Sequence, residues 1–138
     1  MVTLNVRKIL EAFRERYRDE WEAEKSGQWF KVGNFYHVFV WFKSITPQTF
    51  RSMAYLHKVS IRDGDSWRVE DASFMAFIST GGLGEKVCEA LKADLKTYEH
   101  CVCYDLEKRV KIGMASSPVF KRFEEFLKSK YGLEFKHL

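Results

Sequence analysis

Apolar residues recur at three- and four-residue steps through the first part of the chain: Val6, Leu10, Phe13, Tyr17 and Trp21. That period lays one apolar stripe along a helix and predicts one from about Leu4 to Glu24, ended by Ser26-Gly27. The pattern then changes. Gln28–Val32 and Phe35–Phe42 flank Gly33-Asn34, and glycine at the first position of a two-residue turn predicts a hairpin. The second of these strands is apolar at successive positions, so it is expected to be covered on both faces or interior to a sheet. Thr46-Pro47 supplies a cap and a first-turn residue for a second helix, with Phe50, Met53, Ala54 and His57 on one face.

Further on, Val59-Ser60-Ile61 and Trp67-Arg68-Val69 flank Arg62–Ser66 and predict another hairpin. Phe74–Ile78 admits two readings: a strand running up to the glycines that follow, or a short helix capped by Asp71. A helix is predicted from about Gly84 to Lys96, with Val87, Cys88, Leu91 and Leu95 on one face. Strands follow at His100–Leu106 and Arg109–Met114, joined by a turn at Glu107-Lys108. Ser117-Pro118 opens the last helix, whose stripe is Phe120, Phe123, Leu127 and Tyr131 and whose stop is Gly132. Leu133-Glu134-Phe135 closes the chain as a short strand. The sum is a single α+β domain, a mixed and mostly antiparallel sheet with helices packed on it.

Composition narrows the class. With 138 residues, 46% hydrophobic and 16% aromatic, the chain can bury a core without staples. No run approaches the roughly 18 apolar residues needed to cross a bilayer. Met1-Val2-Thr3-Leu4 leads straight into a charged helix without a signal-peptide core, so the expected location is the cytoplasm, away from membranes. A net charge of +4 is mildly basic and favours a phosphate-bearing ligand over a dedicated nucleic-acid role. Arg7, Lys8, Arg14, Arg16 and Arg18 make the first helix basic. Asp19, Glu20, Glu22 and Glu24 turn its end acidic, against the helix dipole. Few Gln and Asn beside many Lys and Glu suggest a thermophilic source. Cys88, Cys101 and Cys103 read as buried core thiols, with a disulfide from Cys88 to one of the pair as the alternative.

The pattern with the most specific chemistry is Ser79-Thr80-Gly81-Gly82-Leu83-Gly84. Three glycines in four residues at a helix start leave backbone N–H groups unobstructed, the arrangement that receives a phosphate or pyrophosphate. The segment is neither a Walker loop nor a dinucleotide fingerprint. Other groupings carry less. Asp63, Asp65, Glu70 and Asp71 could hold a divalent ion, but a calcium loop would need ligands where Trp67 and Phe74 stand. Asp94-Leu95-Lys96 lies on a predicted helix, not on a nuclease strand. Trp29-Phe30-Lys31 and Trp41-Phe42-Lys43 could stack bases, although a bulky core is the commoner use of such residues. His37, His57, His100 and His137 are scattered and suggest no triad.

From Val69-Glu70-Asp71-Ala72-Ser73-Phe74 to Gly82-Leu83-Gly84-Glu85-Lys86-Val87-Cys88-Glu89-Ala90-Leu91, the chain resembles motif A of the GNAT superfamily of N-acetyltransferases. There a strand leads to [Gln/Arg]-x-x-Gly-x-[Gly/Ala], whose amides hold the coenzyme A pyrophosphate. Ser79 stands at the first motif position. The resemblance implies a GNAT-like fold and acetyl-CoA or another acyl-CoA as cofactor. It implies cofactor contacts at Phe74, Gly81, Gly82, Leu83, Gly84 and Glu85. Glu70 or Asp71 would then be the base and Tyr131 the acid that protonates the leaving thiolate. A strand edge or a helix cap is the plain structural account of Glu70 and Asp71. The expected activity is coenzyme A-dependent N-acyl transfer to a small-molecule or protein amine, or a diverged protein of that fold, in a chain that could form a homodimer. The alternatives are a small nucleic-acid-binding domain or a protein–protein interaction domain without enzymatic activity.

Overall fold

The computed structural model describes residues 5–20, 22–23, 29–33, 35–41, 58–63, 65–71, 74–79, 101–113 and 117–137. Helix α1 spans Val6–Tyr17, and the Asn5 side chain caps it by accepting from the Lys8 amide at 3.1 Å. Val6, Ile9, Leu10 and Phe13 form its buried face. The helix stops well before Glu24. The acidic residues after Tyr17 oppose the negative end of the helix dipole, and Glu22–Ala23 instead form a short edge strand, β1.

The first predicted hairpin is present as β2, Trp29–Val32, and β3, Phe35–Trp41, with Gly33 at φ 61° in the turn. The second comprises β4, Lys58–Asp63, and β5, Ser66–Asp71, which form a separate two-stranded sheet. Strand β6, Phe74–Ser79, decides between the two readings of that stretch: it is extended, and Asp71 ends β5 without capping a helix. Strands β7, Cys101–Asp105, and β8, Val110–Gly113, make the third hairpin, closed by the Asp105 carboxylate. Its Oδ1 accepts from the Glu107 and Lys108 amides at 3.0 Å each.

Helix α2 runs Pro118–Tyr131 between a Ser117 cap and Gly132 at φ 68°, the boundaries the sequence predicts. The closing strand falls at Lys136–His137, β9, and not at Leu133–Phe135. Leu133 is instead buried in the core, and Phe135 sets its ring 5.1 Å from Tyr104.

Among the described residues the large sheet has the order β1-β2-β3-β6-β7-β8-β9. Its centre is parallel: β3 pairs with β6 and β6 with β7, so more of the sheet is parallel than the mostly antiparallel arrangement expected. Parallel neighbours require long crossovers, here residues 42–73 and 80–100. Both faces of the centre are buried. On one, Phe39, Ala76, Ile78, Val102 and Tyr104 meet α1 and α2. On the other, Val38, Met75, Phe77, Cys103 and Ile112 are also buried, which accounts for the unbroken apolar run of β3.

Phe13 is the hub of the helix-covered face. Its ring lies 5.5 Å from Phe30, 5.8 Å from Phe39, 5.1 Å from Phe123 and 5.4 Å from Phe126, three of the four edge-on. Edge-to-face packing of this kind joins both helices to the sheet through one side chain. No helix among the described residues is long and apolar enough to cross a membrane.

Candidate functional site

Strand β6 has two ends, and the sequence-predicted residues divide between them. At its carboxyl end Ser79 pairs in register with Asp105 on β7. The chain leaves β6 there and enters the crossover whose first residues are the glycines. Gly81, Gly82, Leu83, Gly84 and Glu85 lie outside the described residues, as do Cys88 and Asp94-Leu95-Lys96. The carboxyl ends of adjacent parallel strands are where open sheets with crossovers form ligand crevices. Asp105 is buried at this end, and its Oδ2 has no hydrogen-bond partner among the described residues. Tyr131 lies toward the same end. Along α2, Phe120 packs on Phe74 at 6.4 Å and Phe123 on Tyr104 at 5.8 Å, so the helix runs with β6 and finishes at Tyr131. The Tyr131 ring is half-buried, 5.9 Å from Phe126.

Phe74 lies at the opposite end of β6, about 16 Å from Ser79 at a strand rise of 3.3 Å. Glu70 and Asp71 finish β5 and approach that same amino end through residues 72–73; their side chains lie outside the described set. The acidic group does not converge. Asp71 pairs with Lys58 and Glu70 with Val59 at the open end of the β4–β5 hairpin, whereas Asp63 and Asp65 sit at its turn. Among the described residues no cluster of metal-ligating side chains occurs.

The other chemistries fare as follows. Phe30 is fully buried against Phe13 and Phe39, so it offers no face to a base. Arg7 on α1 pairs with Glu11 at 3.4 Å and Arg18, the cap beyond it, with Glu15 at 3.2 Å, so two of the five basic residues of this stretch sit in mixed-charge pairs. Cys103 is buried and disulfide-bonded, so Cys103 and its partner are oxidised and are not the free core thiols expected.

A feature that the sequence pattern did not suggest occupies the amino end of β6. A pocket of about 300 Å³ is lined by Val32, Phe35, His37, Phe74, Ser117, Pro118, Val119 and Arg122. Residues 80 positions apart meet in it: His37 Nε2 lies 2.6 Å from Ser117 Oγ. Strand β3 delivers His37, whose register partner on β6 is Phe74. The imidazole stacks on the Phe74 ring at 4.9 Å and 11°, and the Phe120 edge closes a third side at 5.8 Å. Ser117 is fixed by its role as helix cap, its Oγ accepting from the Val119 amide at 3.3 Å.

Burial lowers the His37 pKa from 6.5 to about 4, and the backbone of Phe35 and Phe30 offsets only part of that. Among the described residues, buried Nδ1 has no partner at hydrogen-bonding geometry. The ring is therefore neutral at physiological pH. Arg122 stands at the rim, paired with Glu20 and lying 5.9 Å over the Tyr17 ring. Phe35 is 55% exposed, the large apolar side chain among the described residues that most faces solvent. The sequence carried both halves of the polar pair, a Ser-Pro helix start and a histidine within an apolar strand. Only the parallel β3–β6 pairing and the packing of α2 across it bring them together.

No family model matches the chain, and neither a curated protein nor a solved structure matches it.

Proposed function

We propose that the chain binds an acyl-coenzyme A and transfers its acyl group to an amine, or is a diverged protein that keeps the cofactor site. The observation behind this reading is that Phe74–Ser79 is a strand with a parallel neighbour, in register from Met75↔Cys101 to Ser79↔Asp105. A glycine-rich turn that leaves the carboxyl end of such a strand and opens a crossover presents its amides to an anion. In that position the coenzyme A pyrophosphate is held by backbone N–H groups at Gly81, Gly82, Leu83, Gly84 and Glu85. A helix over residues 72–78 would have left the glycines as a spacer between two helices.

The chemistry needs two proton transfers. The amine loses a proton as its nitrogen attacks the thioester carbonyl; because Glu70 and Asp71 approach the end of β6 opposite Tyr131, that proton reaches either carboxylate through water and not directly. The C–S bond then breaks, and the thiolate takes a proton from Tyr131. The products are an amide and the free thiol. A GNAT-like relationship is the structural form of the same proposal.

A thermal melt with acetyl-CoA tests it. At a ligand concentration one hundred times its dissociation constant, the folded state gains about 2.7 kcal/mol, and the melting temperature rises by several degrees. Gly82→Val, which places a branched side chain among the amides, removes the rise. An unchanged melting temperature at millimolar acetyl-CoA overturns the reading.

A further inference from the structure

We propose that Ser117 is a nucleophile activated by His37, and that the pocket around them accepts the acyl part of a short-chain ester. This site lies at the amino end of β6, the end away from the glycines, and stands independently of the acyl-CoA reading.

The hydrogen-bond pattern supports this assignment. Ser117 Oγ already accepts from the Val119 amide at 3.3 Å, so its single proton is available to His37 Nε2 at 2.6 Å. A serine O–H pointing at Nε2 requires the ring proton to sit on Nδ1, the tautomer in which imidazole acts as a base toward serine. The ring cannot swing away. Phe74 covers one face, and Phe120 meets it edge-on. The nucleophile sits at the amino end of a 14-residue helix, where the dipole favours the negative charge that develops on an attacked carbonyl oxygen.

The walls define the ligand. Val32, Phe35, Phe74 and Val119 are apolar, and about 300 Å³ is at the small end of ligand sites. A butyryl or small aryl acyl group suits that volume better than a long chain. In the first step Oγ bonds to the ester carbonyl carbon while His37 takes the hydroxyl proton. The C–O bond then breaks, and the alcohol leaves with that proton. Water attacks the acyl-serine carbonyl next, giving a proton to His37; the bond from the acyl carbon to Oγ then breaks, and His37 returns that proton to Oγ. A carboxylic acid is released and the hydroxyl restored.

Labelling of the wild-type chain with an alkyl fluorophosphonate tests the proposal without any substitution. Oγ bonds to phosphorus and fluoride leaves. Peptide mass mapping is expected to find the adduct on Ser117, and only in folded protein. His37→Gln is expected to slow labelling at least about 100-fold, the usual contribution of a general base. Hydrolysis of p-nitrophenyl butyrate should exceed that of the palmitate ester and disappear in Ser117→Ala. An unlabelled Ser117, or equal labelling after heat denaturation, overturns the proposal. If His37→Gln fails to fold, the wild-type adduct and its dependence on folding still decide the case.

Discussion

Acid should weaken this fold through His37 as the pH falls below 6.5. The imidazole has 3% of its surface exposed, stacks on Phe74 and meets Ser117 at Nε2. Its pKa falls from 6.5 to about 4, chiefly because burial penalises the cation. The sign follows from proton uptake. In the unfolded chain the ring binds a proton as pH falls through 6.5, whereas the folded ring stays neutral until about 4. Between those values the unfolded state holds more protons, so stability declines by about 1.4 kcal/mol per pH unit. Over the window the loss is about 3 kcal/mol, a large part of the 5–15 kcal/mol that holds a typical domain. Above pH 6.5 this group contributes no pH dependence.

Urea unfolding of the wild type and of His37→Gln, each from pH 7.5 to pH 4.5, isolates the effect. Every other ionisable group is common to both proteins, so the difference between the two curves belongs to position 37. That difference should be flat down to about pH 6.5 and then change in the variant's favour. A difference that stays constant to pH 4.5 would refute the reasoning, because a buried neutral imidazole cannot avoid this linkage. Displacement of the His37 ring proton resonances in the same range, with a midpoint near 6.5, would refute it as well.

Three further outcomes are expected. Phe13→Ala, which removes the ring contacting Phe30, Phe39, Phe123 and Phe126, should cost about 3–5 kcal/mol by chemical denaturation. Glu124→Ala should cost about 2 kcal/mol, because it leaves the buried Tyr104 hydroxyl, now 3.0 Å from Oε2, without an acceptor and strips Lys111 of its 2.5 Å partner. Reduction should lower the melting temperature by about 10 °C if the Cys103 disulfide closes a loop of about 15 residues, worth about 3 kcal/mol. Cys101 sits two places along the same strand, and a Cα spacing of about 6.7 Å is at the upper limit for a disulfide. Non-reducing digestion should therefore recover a Cys88–Cys103 peptide pair.

What could be read from the chain was whatever local chemistry decides. Ser117-Pro118 and Gly132 bound α2 because a cap hydroxyl, a fixed φ and a left-handed φ are properties of single residues. Gly33 turned the first hairpin for the same reason. The periodicity predicts too long an α1 because Trp21 continues the apolar period beyond Tyr17. The acids around it, unfavourable at a carboxyl terminus, were the better guide, and Glu22–Ala23 add to the sheet edge. The parallel centre was not legible. Nothing in Phe35–Trp41 distinguishes a strand whose next neighbour is its hairpin partner from one that also accepts Phe74–Ser79 after a crossover of more than thirty residues.

That unreadable pairing is what creates the pocket. Alternation places His37 and Phe39 on one face of β3, and both positions look like core. Phe39 is core, and its ring lies 4.9 Å from Phe123. His37 differs because it falls two residues nearer the amino edge of the parallel strands, where α2 begins and its cap hydroxyl is waiting. An apolar residue at position 37 would fill the same space without a pKa penalty. A histidine held there neutral, with one nitrogen on a serine and the other unpartnered among the described residues, gives up stability that a phenylalanine would keep. That loss is the reason to test Ser117 for reactivity ahead of any other hydroxyl in the described structure.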